Sequence, residues 1–369
     1  MNPQEEFCPN MNCPDRGKSG EGNIVCHSQK EKRCKCKSCG KTFSVTTGTA
    51  LYGLKKGHDL FVLVVTLLAF GCPVQAIVKA MGLDERTVRS WWLKSGEQSE
   101  QVHEAVIGTS QLDLQHVQAD EIKVKTRGGT VWMALAMIVS TRLWLGGVVS
   151  PKRDADLIEQ LVAKIRQLAL CRELLLAVDG LVSYVKAFQK AFRSPHRTGR
   201  LGRPRLIVWE GIQIVQVVKQ RTPKPFQIIR RIVQGGEQTI QDLLQRSRGG
   251  TVINTAYIER LNATFRQRIS SLTRRSRQAA SQQKTLHASM YLVGTIYNFC
   301  VPHHSLRLPL WLSERRKHWV QRTPAMATGL SDHIWTIEEL MTFKVAPPPY
   351  VPPKRRGRPP KKPILGVVA

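Results

Sequence analysis

The chain has 369 residues, enough for two or three domains, and sets 56 Lys+Arg against 27 Asp+Glu for a formal net charge of +29. That excess implies sustained contact with a polyanion, nucleic acid being the commonest, with an anionic membrane surface or a ribosomal or histone-like role as rivals. No apolar run reaches the roughly 20 residues that span a bilayer, and the polar start with Glu5 and Glu6 is not a signal peptide, so a soluble cytosolic protein is expected.

Residues 1–49 hold six of the nine cysteines: Cys8, Cys13, Cys26, Cys34, Cys36 and Cys39. In a reducing compartment such clustering argues for metal rather than disulfides. Cys8-Pro-Asn-Met-Asn-Cys13 and Cys36-Lys-Ser-Cys39 supply two thiolate pairs at knuckle spacing, which predicts a zinc-ribbon domain with a structural Zn²⁺. Gly40 lets the backbone turn beneath the metal, and Lys41 to Ser44 follows as a strand. Cys26, His27 and Cys34 are competing ligands, Cys34 being more simply a packing residue. Cys72, Cys171 and Cys300 sit in apolar surroundings and read as core.

Residues 58–105 read as a helix-turn-helix DNA-binding domain. His58 to Phe70 is an apolar helix stopped by Gly71-Cys-Pro73, Val74 to Ala80 a short helix ended by Met81-Gly82, and Asp84 caps a third from Glu85 to Lys94. A four-residue turn containing Gly between two helices sets the second into a major groove, with Arg86, Thr87 and Arg89 on its exposed first half. The plainer reading is a three-helix core packed around Trp91 and Trp92.

Residues 112–300 alternate strands and helices. Three strands are expected over His116 to Lys125, Thr130 to Ser140 and Arg142 to Ser150. An amphipathic helix from Asp154 to Leu168, a buried strand from Glu173 to Val178 and a helix from Leu181 to Phe192 come next. Leu206 to Val218 is strand-like again, and Ile253 to Ile269 forms a helix. This is the order of elements in a ribonuclease-H-like α/β core, giving a multidomain α+β chain.

Three acids occupy telling places. Asp120 lies within an apolar strand, where a carboxylate is costly unless paired or on a metal. Asp179 ends another apolar strand, where ligands bind in α/β sheets. Glu259, on the late helix, is followed by no Asp or Glu until Glu314. In such a fold the first and fourth strands are neighbours, so the three acids form one cluster, while Glu121 points to the opposite face by strand alternation. Carboxylates that close need divalent cations, and two ions about 3.5–4 Å apart can activate a water or 3′-hydroxyl for phosphodiester chemistry. Arg260, Arg266, Arg274, Arg275 and Arg277 follow Glu259, and a second acid-free basic stretch separates Asp179 from Glu210, as a DNA-lined cleft requires. Glu210 itself falls inside a predicted strand and is a decoy for the third position.

Residues 301–346 form an irregular C-terminal extension, and 347–369 a basic, Pro-rich tail. Lys354-Arg-Arg-Gly-Arg-Pro-Pro-Lys-Lys362 has the Gly-Arg-Pro core of an AT-hook, whose Arg356 and Arg358 suit a narrow minor groove. A basic tail adding non-specific affinity is the alternative.

Together these residues resemble the DDE transposases of bacterial insertion sequences that carry an N-terminal zinc ribbon and helix-turn-helix. Asn254-Thr-Ala-Tyr-Ile-Glu-Arg-Leu-Asn262 with Arg266 and Leu272-Thr-Arg-Arg275 is similar to the family's third-acid helix. Ala119-Asp-Glu-Ile122 resembles its first-acid strand, and Val178-Asp-Gly180 with Tyr184 its second. Tyr297-Asn-Phe299, His304-Ser-Leu-Arg307 and Arg322-Thr-Pro-Ala-Met-Ala327 resemble the segments that follow. The resemblance implies cleavage of transposon ends and strand transfer into target DNA, catalysed by Asp120, Asp179 and Glu259 with two Mg²⁺ ions, Mn²⁺ serving as a substitute. It also implies double-stranded DNA as partner, a homo-oligomer assembled on it, and a nucleoid-associated place in the bacterial cytoplasm. A DNA-binding protein without catalysis, and a nuclease or resolvase on the same fold, share most of these features.

Overall fold

The computed structural model describes residues 2–126, 129–170, 173–197, 199, 202–220, 227–272, 282–313 and 316–352. Arg274, Arg275, Arg277, Arg356, Arg358 and Cys171 lie outside the described residues. The chain divides into two compact units, Met1–Gly48 with Val345–Ala369, and Thr49–Lys344. The second takes in the segments expected at 58–105 and 112–300 and all but the last two residues of 301–346. No helix among the described residues is long and apolar enough to cross a membrane.

In the first unit, β1 (Ile24–Ser28), β2 (Arg33–Cys36) and β3 (Thr42–Ser44) form a three-stranded antiparallel sheet. Its core is small: Ile24, Phe43 and Cys34 pack with Cys8, Cys13 and Cys36.

The second unit begins with α1 (His58–Ala69), α2 (Val74–Met81) and α3 (Glu85–His103). Gly82 adopts φ 58°, the left-handed geometry that ends α2, and Asp84 accepts from the N–H of Arg86 to cap α3, a cap worth about 1 kcal/mol. The third helix runs well past the expected Lys94. Its second half is buried against α8 (Gln283–Phe299), with Gly96 so close to Ala288 that any Cβ would collide. Tertiary burial, not local signals, carries the helix onward. Trp91 packs edge-on against Phe61, ring centroids 5.3 Å apart.

A six-stranded mixed sheet follows, built from β4 (His116–Thr126), β5 (Gly129–Ile138), β6 (Trp144–Ser150), β7 (Leu174–Asp179), β10 (Ile212–Gln220) and β11 (Gln227–Gln234), in the order β11-β10-β7-β4-β5-β6. The first three strands are antiparallel, β4 lies parallel to β7 and β7 parallel to β10, and β11 closes the edge antiparallel. The expected adjacency of first and fourth strands is therefore present. Between β6 and β7 runs α4 (Ala155–Leu168), and between β7 and β10 runs α5 (Val182–Ala191), the two helices packing on each other. On one sheet face, α7 (Ala256–Arg268) and α8 bury Ile258, Leu261, Phe265, Met290 and Tyr291 against Ile122, Val124, Leu135 and Trp144. Farther along, α6 (Glu237–Arg246) buries Ile240, Leu243 and Leu244 against Leu175, Ala177, Val215 and Val217.

The expected single strand over Leu206 to Val218 is two elements. A hairpin of β8 (Arg193–His196) and β9 (Arg205–Val208) ends before Trp209, and a turn at Glu210 precedes β10. Glu210 is thus exposed in a turn, not inside a strand, at the end of the sheet opposite Asp179. A ribbon of β12 (Leu308–Ser313) and β13 (Arg316–Val320), then α9 (Pro324–Thr328) and α10 (Ile337–Thr342), complete the unit.

Candidate functional site

The four cysteines of the two knuckles come together. Cys8 Sγ lies 3.7 Å from Cys39 Sγ, and Cys13 Sγ 3.8 Å from Cys36 Sγ. A tetrahedron of Zn–S bonds near 2.3 Å has edges of about 3.8 Å, so the spacing matches a closed zinc site. Gly40 at φ 68° donates to the Cys36 carbonyl and makes the second knuckle. Burial pushes the Cys8 and Cys13 thiols up. At Cys39 burial pushes the same way, but the Lys41 N–H and the Asn10 side chain outweigh it and hold the thiol down to about 7. Four thiols this close cannot all ionise without a cation, and zinc is the ion this donor set suits. Cys26 is exposed and outside the set, while Cys34 packs in the ribbon's core.

The carboxylates gather at the C-terminal ends of β7 and β10. Asp120, Asp179 and Glu259 line one open cleft of about 610 Å³, with Arg153, Lys219, Thr255 and Arg266. Each acid is placed by its element. The register Gln118↔Ala177 between β4 and β7 brings Asp120 level with Asp179 on the same face. Asp179 then accepts from the N–H of Leu181 and turns the chain into α5. Glu259 is set by buried Gln118, which accepts from the N–H groups of Tyr257 and Ile258 at 3.1 and 3.0 Å and donates to the Asn254 carbonyl at 2.8 Å. These are first-turn amides of α7 that the helix itself cannot satisfy, so a strand residue caps the helix from outside.

Glu121 is not turned out of reach. One oxygen from each of Asp120, Glu121 and Asp179 lies within 4.8 Å of the others, and Glu259 lies outside that set. Alternation fixes the side on which a side chain leaves its strand, not where a longer arm ends. Strand β7 stops at Asp179, so the Glu121 carboxylate bends round its tip, while Asp120 folds back to accept from the N–H of Glu121. The Glu121 side chain is 1 % exposed.

The guanidinium of Arg153 bridges two of these acids, with Nε 3.1 Å from Glu121 and an Nη 3.3 Å from Asp179, and stacks over Trp132 at 4.9 Å. Glu259 accepts from Lys219 and, at 2.7 Å, from Thr255 Oγ1. Burial works against its charge, but Lys219 and Thr255 hold its carboxyl below the usual range. Asp120 is pushed up to about 6 by burial, then by the charges of Asp179 and Glu259. Burial and the charge of Asp179 push Glu121 up to about 7 despite Arg153.

Polar atoms are also left over. Glu121 Oε2, Asn262 Oδ1 and the Tyr184 hydroxyl are buried with no hydrogen-bond partner among the described residues. Asn262 donates to Asp120 at 2.8 Å, one turn along α7 from Glu259. Crowded oxygen donors, raised carboxyls and orphaned oxygens are the features that a hard divalent cation satisfies, so these residues fit one.

Arg86 and Arg89 are exposed on the first half of α3, where Arg89 pairs with Glu85 at 2.6 Å, and Thr87 is half-buried. Arg266 lines the cleft, whereas Arg260 lies on another side of α7. Sequence reasoning missed Arg153, Lys219, Gln118 and Asn262. Only Gln118 and Asn262 carried a signal, spaced two residues before Asp120 and three after Glu259 on the same faces. No protein-family model matches this chain, and no curated protein matches it in sequence.

Proposed function

We propose that the chain is a DDE-type DNA transposase of the bacterial insertion-sequence kind, which binds transposon ends and carries out metal-dependent cleavage and strand transfer. The observation that carries this reading is the shared cleft of Asp120, Asp179 and Glu259, two of them on neighbouring strands and the third on a helix locked to the first strand by Gln118. The strand order β6-β5-β4-β7-β10, with helices between the last three, is what a ribonuclease-H-like core has, and β11 is then an added edge.

Bound Mg²⁺ would supply a polarised water or 3′-hydroxyl and charge neutralisation at the leaving oxygen. The chain's own residues do the rest. Asp120 and Asp179 offer oxygens within 4.8 Å of each other, and Asn262 fixes the Asp120 carboxylate. Glu259 completes the ligand set once Lys219 turns to a phosphate, with Thr255 keeping its orientation. Arg266, in the same cleft, faces the scissile strand. The four cysteines hold structural zinc, the exposed start of α3 with Arg86 reads a DNA groove, and the basic tail adds minor-groove contact. Duplex DNA is the partner, in a homo-oligomer on the nucleoid.

Incubating the protein with a pre-cleaved transposon end, plasmid and Mg²⁺ should give joined product. Asp120→Asn, Asp179→Asn and Glu259→Gln should each lower joining by about 10³-fold or more, with DNA affinity retained. Joining that survives Glu259→Gln removes it as third acid. Binding without joining in the wild type favours the non-catalytic reading.

A further inference from the structure

Helix α7 has a second working side. Glu259, Asn262 and Arg266 face the carboxylate cleft, whereas Tyr257, Arg260 and Arg268 line a separate cavity of about 250 Å³ with Arg142, Tyr297 and His303. Among the described residues no Asp or Glu lines this second cavity.

The Arg142 guanidinium donates to the Val139 carbonyl and stacks on the Tyr257 ring at 4.0 Å, and burial, reinforced by Arg260, holds it below the usual arginine range. Arg268 stacks over Phe70 at 4.6 Å, but its Nη1 is buried with no hydrogen-bond partner among the described residues, and burial depresses this guanidinium too. Tyr297 is 8 % exposed; burial pushes its phenol up to about 12 although three arginines pull the other way, so it stays a neutral donor. Burial and the facing arginines keep His303 below its ordinary value. Partly desolvated guanidinium groups with no carboxylate between them favour an anion, and their forked donors match phosphate.

We propose that this cavity is a phosphate pocket that takes a backbone phosphate of the DNA strand whose reacting phosphodiester lies in the carboxylate cleft. The inference rests on the function proposed above. A helix is about 10–12 Å across, so one strand crossing α7 would place phosphates in both sites only a few nucleotides apart. Arg268 and Arg142 act as strand clamps, fixing the register in which a given phosphodiester meets Asp120 and Asp179.

The test uses the full-length, zinc-loaded protein without added Mg²⁺ or Mn²⁺, so that cleft chemistry is silent, with a short single-stranded oligonucleotide titrated at several salt concentrations. Arg268→Gln and Arg142→Gln should each weaken binding about tenfold, whatever the sequence, and flatten the slope of log K against log salt by roughly 0.7–0.9. Arg268→Lys, which keeps the charge, should keep the slope, and that separates a lost phosphate contact from a damaged fold. Inorganic phosphate alone should raise the melting temperature of the wild type more than that of Arg268→Gln. If phosphate does so while the DNA slope is the same in every variant, the pocket serves a free anion and the proposal fails. It fails equally if neither measurement responds. The two readings separate cleanly: flattened slopes without any joining leave the pocket standing and remove the transposase, while joining with unchanged slopes does the reverse.

Discussion

The four thiols of the first unit and the four acids of the second crowd like-charged ligands, but they are held together by different means. The thiols sit on two short knuckles, at edges of 3.7 and 3.8 Å. The acids come from a strand, a strand tip and a helix far apart in sequence, and Arg153 and Lys219 stand among them as resident cations. On the proposed reading, one site depends on an ion to fold. The other is folded by its scaffold, with protein cations holding the places that an ion and a polyanion would take. The comparison teaches that a metal site is a competition between an ion and whatever charges the fold supplies.

Removing the ion should therefore hurt the two units very differently, and zinc gives the largest effect. Structural zinc contributes about 10–16 kcal/mol of apparent binding energy in small modules, more than the small core of Ile24, Phe43 and Cys34 can replace. Metal analysis of the full chain should return a single zinc. Cys36→Ser should lose it and open residues 2–48 to limited proteolysis, with the second unit intact, whereas Cys26→Ser should change nothing. Zinc lost on Cys26→Ser would redraw the ligand set.

This difference also explains what could be read beforehand. Knuckle spacing is local, so Cys8, Cys13, Cys36 and Cys39, the turn at Gly40 and the strand at Thr42–Ser44 were legible in order. Asp120 and Asp179 were legible because adjacent parallel strands and an apolar run ending in an acid fix their neighbourhood. Glu121 was misread because period-two alternation says nothing about the end of the neighbouring strand. Arg153 and Lys219 were invisible, since an arginine before a helix and a lysine near the end of a strand have no signature until topology brings them to a carboxylate. The length of α3 was missed for a similar reason: Gly96 against Ala288 is a tertiary contact.

The next effect is a pH dependence of opposite sign with and without divalent ions. Asp120 and Glu121 titrate near 6 and 7 in the folded chain, above their ordinary values of 3.8 and 4.5. A carboxyl raised on folding contributes stability that is fully present below its ordinary pKa and is lost as pH rises through the folded value. In EDTA the second unit should thus lose stability between about pH 4 and pH 7. A shift of two units corresponds to about 3 kcal/mol for one such group. Melting curves of wild type and Glu121→Gln from pH 5 to 8 isolate this contribution, since the variant should lose much of the slope. Mg²⁺ should raise the wild-type melting temperature more at pH 8 than at pH 5. A wild-type slope that Glu121→Gln leaves unchanged would show that the buried pair is not its source.

Arg153 gives the smallest effect and the most direct test of the competition. It satisfies Glu121 and Asp179 at 3.1 and 3.3 Å, but it is 37 % exposed, so solvent screens much of what it contributes. In EDTA, Arg153→Ala should cost about 1 kcal/mol, and Glu121→Gln in the same chain should recover part of it because the buried charge then needs no partner. Divalent ions should respond in the other direction. With the resident cation gone, Mg²⁺ or Mn²⁺ should bind about tenfold tighter, equivalent to about 1.4 kcal/mol, as read by calorimetry or by the Mn²⁺ spin signal. If Arg153→Ala instead weakens the ion as much as Asp179→Asn does, the guanidinium is no placeholder: it orients Glu121 and Asp179 as ligands, and the cleft is prearranged for an ion.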